Sequence, residues 1–205
     1  LGVDRMYTAM IPLGHRPPTI VEEAGPHVTC TLVGGDPILP IAELFEQIRP
    51  LPRRRDMRVA VIVDLLLHSP FTTFDAVATA LQTDAEGAGA ALRATAQCTV
   101  AEAPLIERYA DAWLLGNGPR RIAMPARRAP WFADVVGYAS TRAEQCLSTA
   151  RQWCRAFETI STGDLMRLAG VSRGTAQKIL ATMAERQELR RIGSGRATAY
   201  RLARS

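Results

Sequence analysis

One order of signals recurs along the chain and limits what it can fold into: three helices, then a hairpin. In residues 56–115 an apolar helix runs over 56–69. Thr73 can cap a second helix through Gln82, and Asp84 a third through about Cys98. Residues 105–109 and Ala112–Leu115 read as two short strands, with Gly116-Asn117-Gly118-Pro119 closing them. Residues 140–202 repeat the order. A long helix covers 140–158 and a short strand Thr159–Ser161. Thr162 can cap a helix over 163–169, Gly170-Val171 makes a turn, and Ser172 caps a third helix to about Gln187. Strands over Leu189–Ile192 and 198–202 flank Gly193-Ser194-Gly195-Arg196.

That order is the one a winged helix needs. The expected fold is therefore mainly α with small β-hairpins (α+β): tandem winged helix-turn-helix domains over 56–130 and 131–205. Before them, residues 1–14 read as a helix ending at Gly14, with Val3, Met6, Tyr7, Met10 and Ile11 on one face. Strands over 19–23 and 28–33 follow. A helix and a hairpin are too small to hold a core alone, so 1–36 reads as the C-terminal remnant of a truncated upstream domain. Residues 37–55 read as a linker with a short helix at 41–48. Pro50-Leu51-Pro52-Arg53-Arg54-Arg55 in it reads as a solvated hinge.

Charge divides the chain unevenly. Residues 151–205 hold 11 Arg or Lys against 4 Asp or Glu, a net +7, and residues 1–150 hold 14 Arg against 16 Asp or Glu, a net −2. A basic segment on a near-neutral body points to an anionic partner, double-stranded DNA first. The third helix of the first unit, 84–98, carries only Arg93 with Asp84 and Glu86. A structural or dimer-forming role suits it better than base reading, and a homodimer through this unit is the second expected partner. No apolar run approaches the roughly 20 residues that span a bilayer, so no membrane partner is expected. The start, LGVDRMYTAM, has neither a basic nor an apolar leader region. The expected location is cytoplasmic and nucleoid-associated, and the chain reads as a fragment or processed product.

Catalytic and metal chemistry find no pattern. Cys30, Cys98, Cys146 and Cys154 form no CxxC pair, and His15, His27 and His68 are scattered. The cysteines read as reduced thiols. Gly87 and Gly89 lie inside a helix, no phosphate-loop motif occurs, and no cofactor is expected in this fragment. A non-enzymatic role follows, although an upstream ATP-binding domain would lie outside this sequence.

The informative stretch is 162–202. Ala176, Ile179, Leu180 and Met183 follow i, i+3, i+4, i+7 and must face a core. Gln177, Lys178 and Thr182 then lie on or beside the other side. Ser172, Arg173 and Thr175 stand at the helix N-terminus, where free N–H groups favour phosphate. Arg and Gln suit guanine and adenine edges in the major groove. Arg190 and Arg191 occupy a strand beside that helix, and Arg196 tops a Gly-Ser-Gly turn. These nine residues are the candidate DNA-binding set.

Two resemblances add to this reading. Val171-Ser172-Arg173-Gly174-Thr175-Ala176 followed by Leu189-Arg190-Arg191-Ile192-Gly193-Ser194-Gly195 resembles the winged helix-turn-helix of bacterial regulators, including the GntR type. The resemblance implies DNA contacts by Ser172, Arg173, Thr175 and the wing residue Arg196. Gln187 stands where such proteins often close the helix with Gly. Gly2-Val3-Asp4-Arg5-Met6-Tyr7, Gly14-His15-Arg16-Pro17-Pro18-Thr19-Ile20 and Val28-Thr29-Cys30-Thr31-Leu32 resemble the C-terminal part of RecG-like transcriptional regulators. Such proteins carry an AlbA/Schlafen-type N-terminal domain, which implies ATP or DNA handling upstream.

Three functions fit. The first is a sequence-specific DNA-binding transcriptional regulator reading duplex DNA with helix 172–187 and a basic wing at 190–201. The alternatives are an accessory nucleic-acid-binding region of a RecG-like ATP-dependent enzyme and a winged-helix protein-interaction adaptor. The +7 of the last segment favours the first two.

Overall fold

The structure, a computed structural model, describes residues 2–23, 25, 27–128, 135–139, 143–195 and 198–203. Two compact units divide the chain, 1–135 and 136–205. The secondary structure is mainly helical with small antiparallel sheets.

In the first unit, α1 (Gly2–Met10) and a 3-10 turn (Ile11–Leu13) end at Gly14. Gly14 has φ +79°, and a Cβ there would lie 2.6 Å from the Ile38 side chain, so both conformation and space demand glycine. The strands β1 (Thr19–Glu22) and β2 (Val28–Thr31) pair as an exposed ribbon. After them come α2 (Leu39–Glu46), β3 (Ile48–Arg49) and a 3-10 helix at Leu51–Arg55.

The central element is α3 (Met57–His68), which buries Val59, Ala60, Val61, Ile62, Val63, Leu66 and Leu67. Asp56 caps it, accepting the Arg58 backbone N–H at 3.1 Å. Burial pushes the Asp56 carboxyl up. Hydrogen bonds from Arg58 and Arg53, with the Arg58 charge, outweigh that and hold it below its ordinary value. The helices α4 (Phe74–Leu81) and α5 (Ala85–Ala96) start at the expected caps, Thr73 and Asp84.

The strands β4 (Thr99–Val100) and β5 (Ala103–Pro104) join β3 in a three-stranded sheet. A separate hairpin is built from β6 (Ile106–Tyr109) and β7 (Ala112–Leu115). Thr72, between α3 and α4, bridges Trp113 of β7 through two reciprocal backbone hydrogen bonds of 2.9 Å.

Some sequence expectations fail here. The Pro-Leu-Pro-Arg-Arg-Arg stretch is no solvated hinge. It winds as a 3-10 helix against β3 and α3, with Arg53 ion-paired to Asp56 (2.7 Å) and Arg54 to Glu46 (2.6 Å). Gly116 to Pro119 does not close the hairpin. Ala110, with φ +51°, turns it, while Asn117 begins α6 (Asn117–Ala123). Segments 1–36, 37–55 and the following helices also fall within one unit. The cause is shared burial: Ile11, Ile41, Leu44, Phe45 and Ile48 are at most 4% exposed, and α1, α2 and α3 pack on or around the same 3-10 turn at Ile11–Leu13.

The second unit contains α7 (Ala143–Phe157), β8 (Thr159–Ser161), α8 (Thr162–Ala169), α9 (Arg173–Glu185), β9 (Leu189–Ile192) and β10 (Ala199–Leu202). The antiparallel sheet runs β8-β10-β9. Ser161, not Thr162, caps α8. Its Oγ accepts Asp164 N–H at 3.1 Å, while the Asp164 carboxylate accepts Ser161 N–H at 2.6 Å. The core gathers Leu147, Trp153, Ile160, Leu165, Leu168, Ala176, Leu180, Met183 and Leu189. Arg151 of α7 donates from Nε and Nη2 to Glu188 Oε2, 3.0 Å from Nε, tying α7 to the turn before β9. Cys98, Cys146 and Cys154 are buried and unbridged, and Cys30 is exposed. Burial pushes the Cys154 thiol up to about 11. Among the described residues no group of three His, Cys, Asp or Glu could hold a metal, and no helix is long and apolar enough to cross a membrane.

Candidate nucleic-acid interface

The basic surface of the second unit is organised by α9. Gly170 leaves α8 in the left-handed conformation at φ +68°, which frees the chain to turn sharply. Ser172 then caps α9: its Oγ accepts Thr175 N–H at 3.2 Å and lies 2.9 Å from Thr175 Oγ1. The Ala176/Ile179/Leu180/Met183 stripe is buried, as its spacing requires. Arg173, Gln177, Lys178 and Ala181 consequently face solvent, with Thr182 half-buried.

Two grooves flank that solvent face. One, of about 550 Å³, lies between α9 and the hairpin, and Arg173, Gln177 and Ala181 line it with Arg191, Gly195, Thr198 and Tyr200. Its floor is completed by the start of α8, Ser161 to Gly163, and Met166. The other, of about 630 Å³, lies between α9 and α7, where Gly174, Lys178, Thr182 and Arg186 face Glu144 and Leu147.

The hairpin divides its arginines by strand pleat. Leu189 and Tyr200 are buried, so Leu189, Arg191, Tyr200 and Leu202 share the inner face, and Arg190 and Arg201 share the outer one. Arg191 reaches the groove beside α9, and its Nη2 donates to Thr198 Oγ1 at 3.4 Å. Gly193 and Gly195, at φ +70° and +59°, form the tip.

The nine expected residues thus separate into roles. Arg173, Gln177 and Arg191 converge on one groove, and Lys178 and Thr182 line the other. The hydroxyls of Ser172 and Thr175 are engaged in capping. Arg190 points away from Arg191, and Arg196 lies outside the described residues. Sequence reasoning missed Arg186 and Arg201. Arg186 follows Lys178 and Thr182 at helical spacing, a signal that was present. Arg201 becomes Arg190's neighbour only through the hairpin register. Arg173, Lys178, Arg186, Arg190 and Arg201 form no ion pair with a described residue. Two acids of this unit are engaged elsewhere: Asp164 in its capping box and Glu188 with Arg151. This leaves the cations available to an external anion.

Residues 141–203 match the family model described as "Transcriptional regulator DIP2311-like, C-terminal domain". Residues 39–124 match a family of unknown function, DUF5635. The crystal structure of the DIP2311 protein from Corynebacterium diphtheriae aligns over 98% of this chain at 46% identity with a TM-score of 0.91. This chain spans 36% of that protein's length. No curated protein matches.

Proposed function

We propose that this chain is part of a transcriptional regulator whose second unit is a winged helix that binds duplex DNA. In this reading α9 enters the major groove, with Arg173 and Gln177 addressing base edges and Lys178 and Thr182 beside them. The β9–β10 hairpin is the wing, and Arg191 and Arg196 meet phosphate. The observation that carries the reading is the groove where Arg173, Gln177 and Arg191 converge beside a helix face with no carboxylate pairing. The match of residues 141–203 to a regulator domain supports it. The first unit, a winged helix by the same order of elements, serves packing and self-association rather than reading. Neither unit supplies a catalytic step or a cofactor.

The test is fluorescence anisotropy with duplex DNA at several salt concentrations. The reading expects log K to fall linearly with log salt, at a slope near −0.9 for each phosphate neutralised. A folded protein that binds no duplex even at low salt would refute it.

A further inference from the structure

The outer face of the small sheet holds a feature that base reading does not use. Arg190 and Arg201 are direct cross-strand partners, with Thr159 of β8 next in the same row. Directly opposite residues on one sheet face have Cβ atoms about 4.5–5.5 Å apart, and like charges there are destabilising. Both arginines are exposed, and neither forms an ion pair with a described residue. Nothing in the packing calls for them: the buried side chains of this hairpin, Leu189 and Tyr200, lie on the other face. Two guanidiniums held side by side on a three-stranded support, with a hydroxyl in line, match the oxygens of a single phosphodiester.

We propose that Arg190 and Arg201 together clamp one phosphate of the bound duplex, on the side of the sheet away from Arg191. The sheet then stands between two stretches of DNA backbone. Arg191 faces the stretch beside α9, and the Arg190–Arg201 pair faces the stretch across the wing. This inference rests on the DNA-binding reading and adds Arg201 to it. It also separates Arg190 from Arg191, its neighbour in sequence. The clamp carries no base information, so its loss weakens all sequences alike.

A double-mutant cycle on the whole chain tests it, with Arg190→Gln, Arg201→Gln and the double variant titrated by anisotropy against duplexes of two unrelated sequences. Each single variant is expected to weaken both duplexes by a similar factor and to flatten the salt slope by about one. The double variant is expected to be no weaker than the worse single, because one phosphate is shared. The control pair Arg191→Gln with Arg201→Gln should instead multiply. The melting temperature of Arg201→Gln should hold or rise, since a like-charge contact is relieved. Independent, multiplying losses for Arg190 and Arg201 would overturn the shared clamp, as would unchanged binding. If the wild type binds no duplex, the DNA reading fails first and takes the clamp with it. If Arg173→Ala weakens binding while Arg201→Gln does not, only the clamp fails.

Discussion

The two units follow the same order of elements and differ in what their third helices offer. In each, a long helix precedes a short extended segment, two helices and a hairpin, and the segment pairs with the second hairpin strand: Thr72 with Trp113, and β8 with β10. The third helix of the first unit, α5, buries Ala88, Gly89, Ala91, Leu92 and Thr95, and Asp84 and Glu86 stand at its start. Arg93 is its one cation, lying over Gly89 beside Phe74. In the second unit α9 starts with Arg173, presents Gln177 and Lys178, and is flanked by two grooves with basic linings. One topology thus carries two surfaces, and function has to be argued from the surface.

The comparison can be broken most severely through the core of the second unit. Leu165 of α8 is fully buried. Leu165→Ala should cost about 2–5 kcal/mol of that unit's stability. DNA binding should fall with it, while amide protection in α3 persists at wild-type level, which hydrogen exchange reads directly. Equal loss of protection in both units would show that they unfold together.

A smaller effect belongs to the first unit alone. Asp56→Ala removes the α3 cap and should cost about 1 kcal/mol. The sign with pH follows from the lowered carboxyl: its contribution is present above the ordinary carboxylate range and lost as pH falls through the Asp56 pKa. Thermal melts from neutral to acid pH should show the variant and wild type converging in acid, with DNA affinity at neutral pH unchanged. The smallest effect is at Arg93. Arg93→Ala should leave DNA affinity within about twofold, as for a surface change away from α9. A tenfold loss with folding intact would move α5 into the interface.

Much of this was legible because short polar caps announce helices locally. Thr73, Asp84 and Ser172 all cap where the sequence placed them, and Asp56, read only as the start of a helix, caps α3. The α8 cap was misplaced by one residue because Ser161 and Thr162 both qualify. Only the spacing from Ser161 to Asp164 decides between them, since it completes a reciprocal pair. The β3-β4-β5 sheet was invisible because its strands are two residues long and β3 meets β4 only across about fifty residues of chain. The start of α6 was hidden by Gly116-Asn117-Gly118-Pro119, whose composition signals a turn. Opposite faces for Arg190 and Arg191 follow from strand alternation, which was available. The proximity of Arg201 depends on register, which adjacent residues do not encode.

The central claim is that α9, and not α5, reads DNA. Its most direct test is selection from random duplexes with the wild type, Arg173→Ala, Gln177→Ala and Arg93→Ala in parallel. Loss of a base-edge contact should cost about 1–3 kcal/mol and relax preference at one position. The account predicts a defined wild-type motif, a motif degenerate at one position for each α9 variant, and an unaltered motif for Arg93→Ala. A motif that survives both α9 changes, or dissolves with Arg93→Ala, would contradict it.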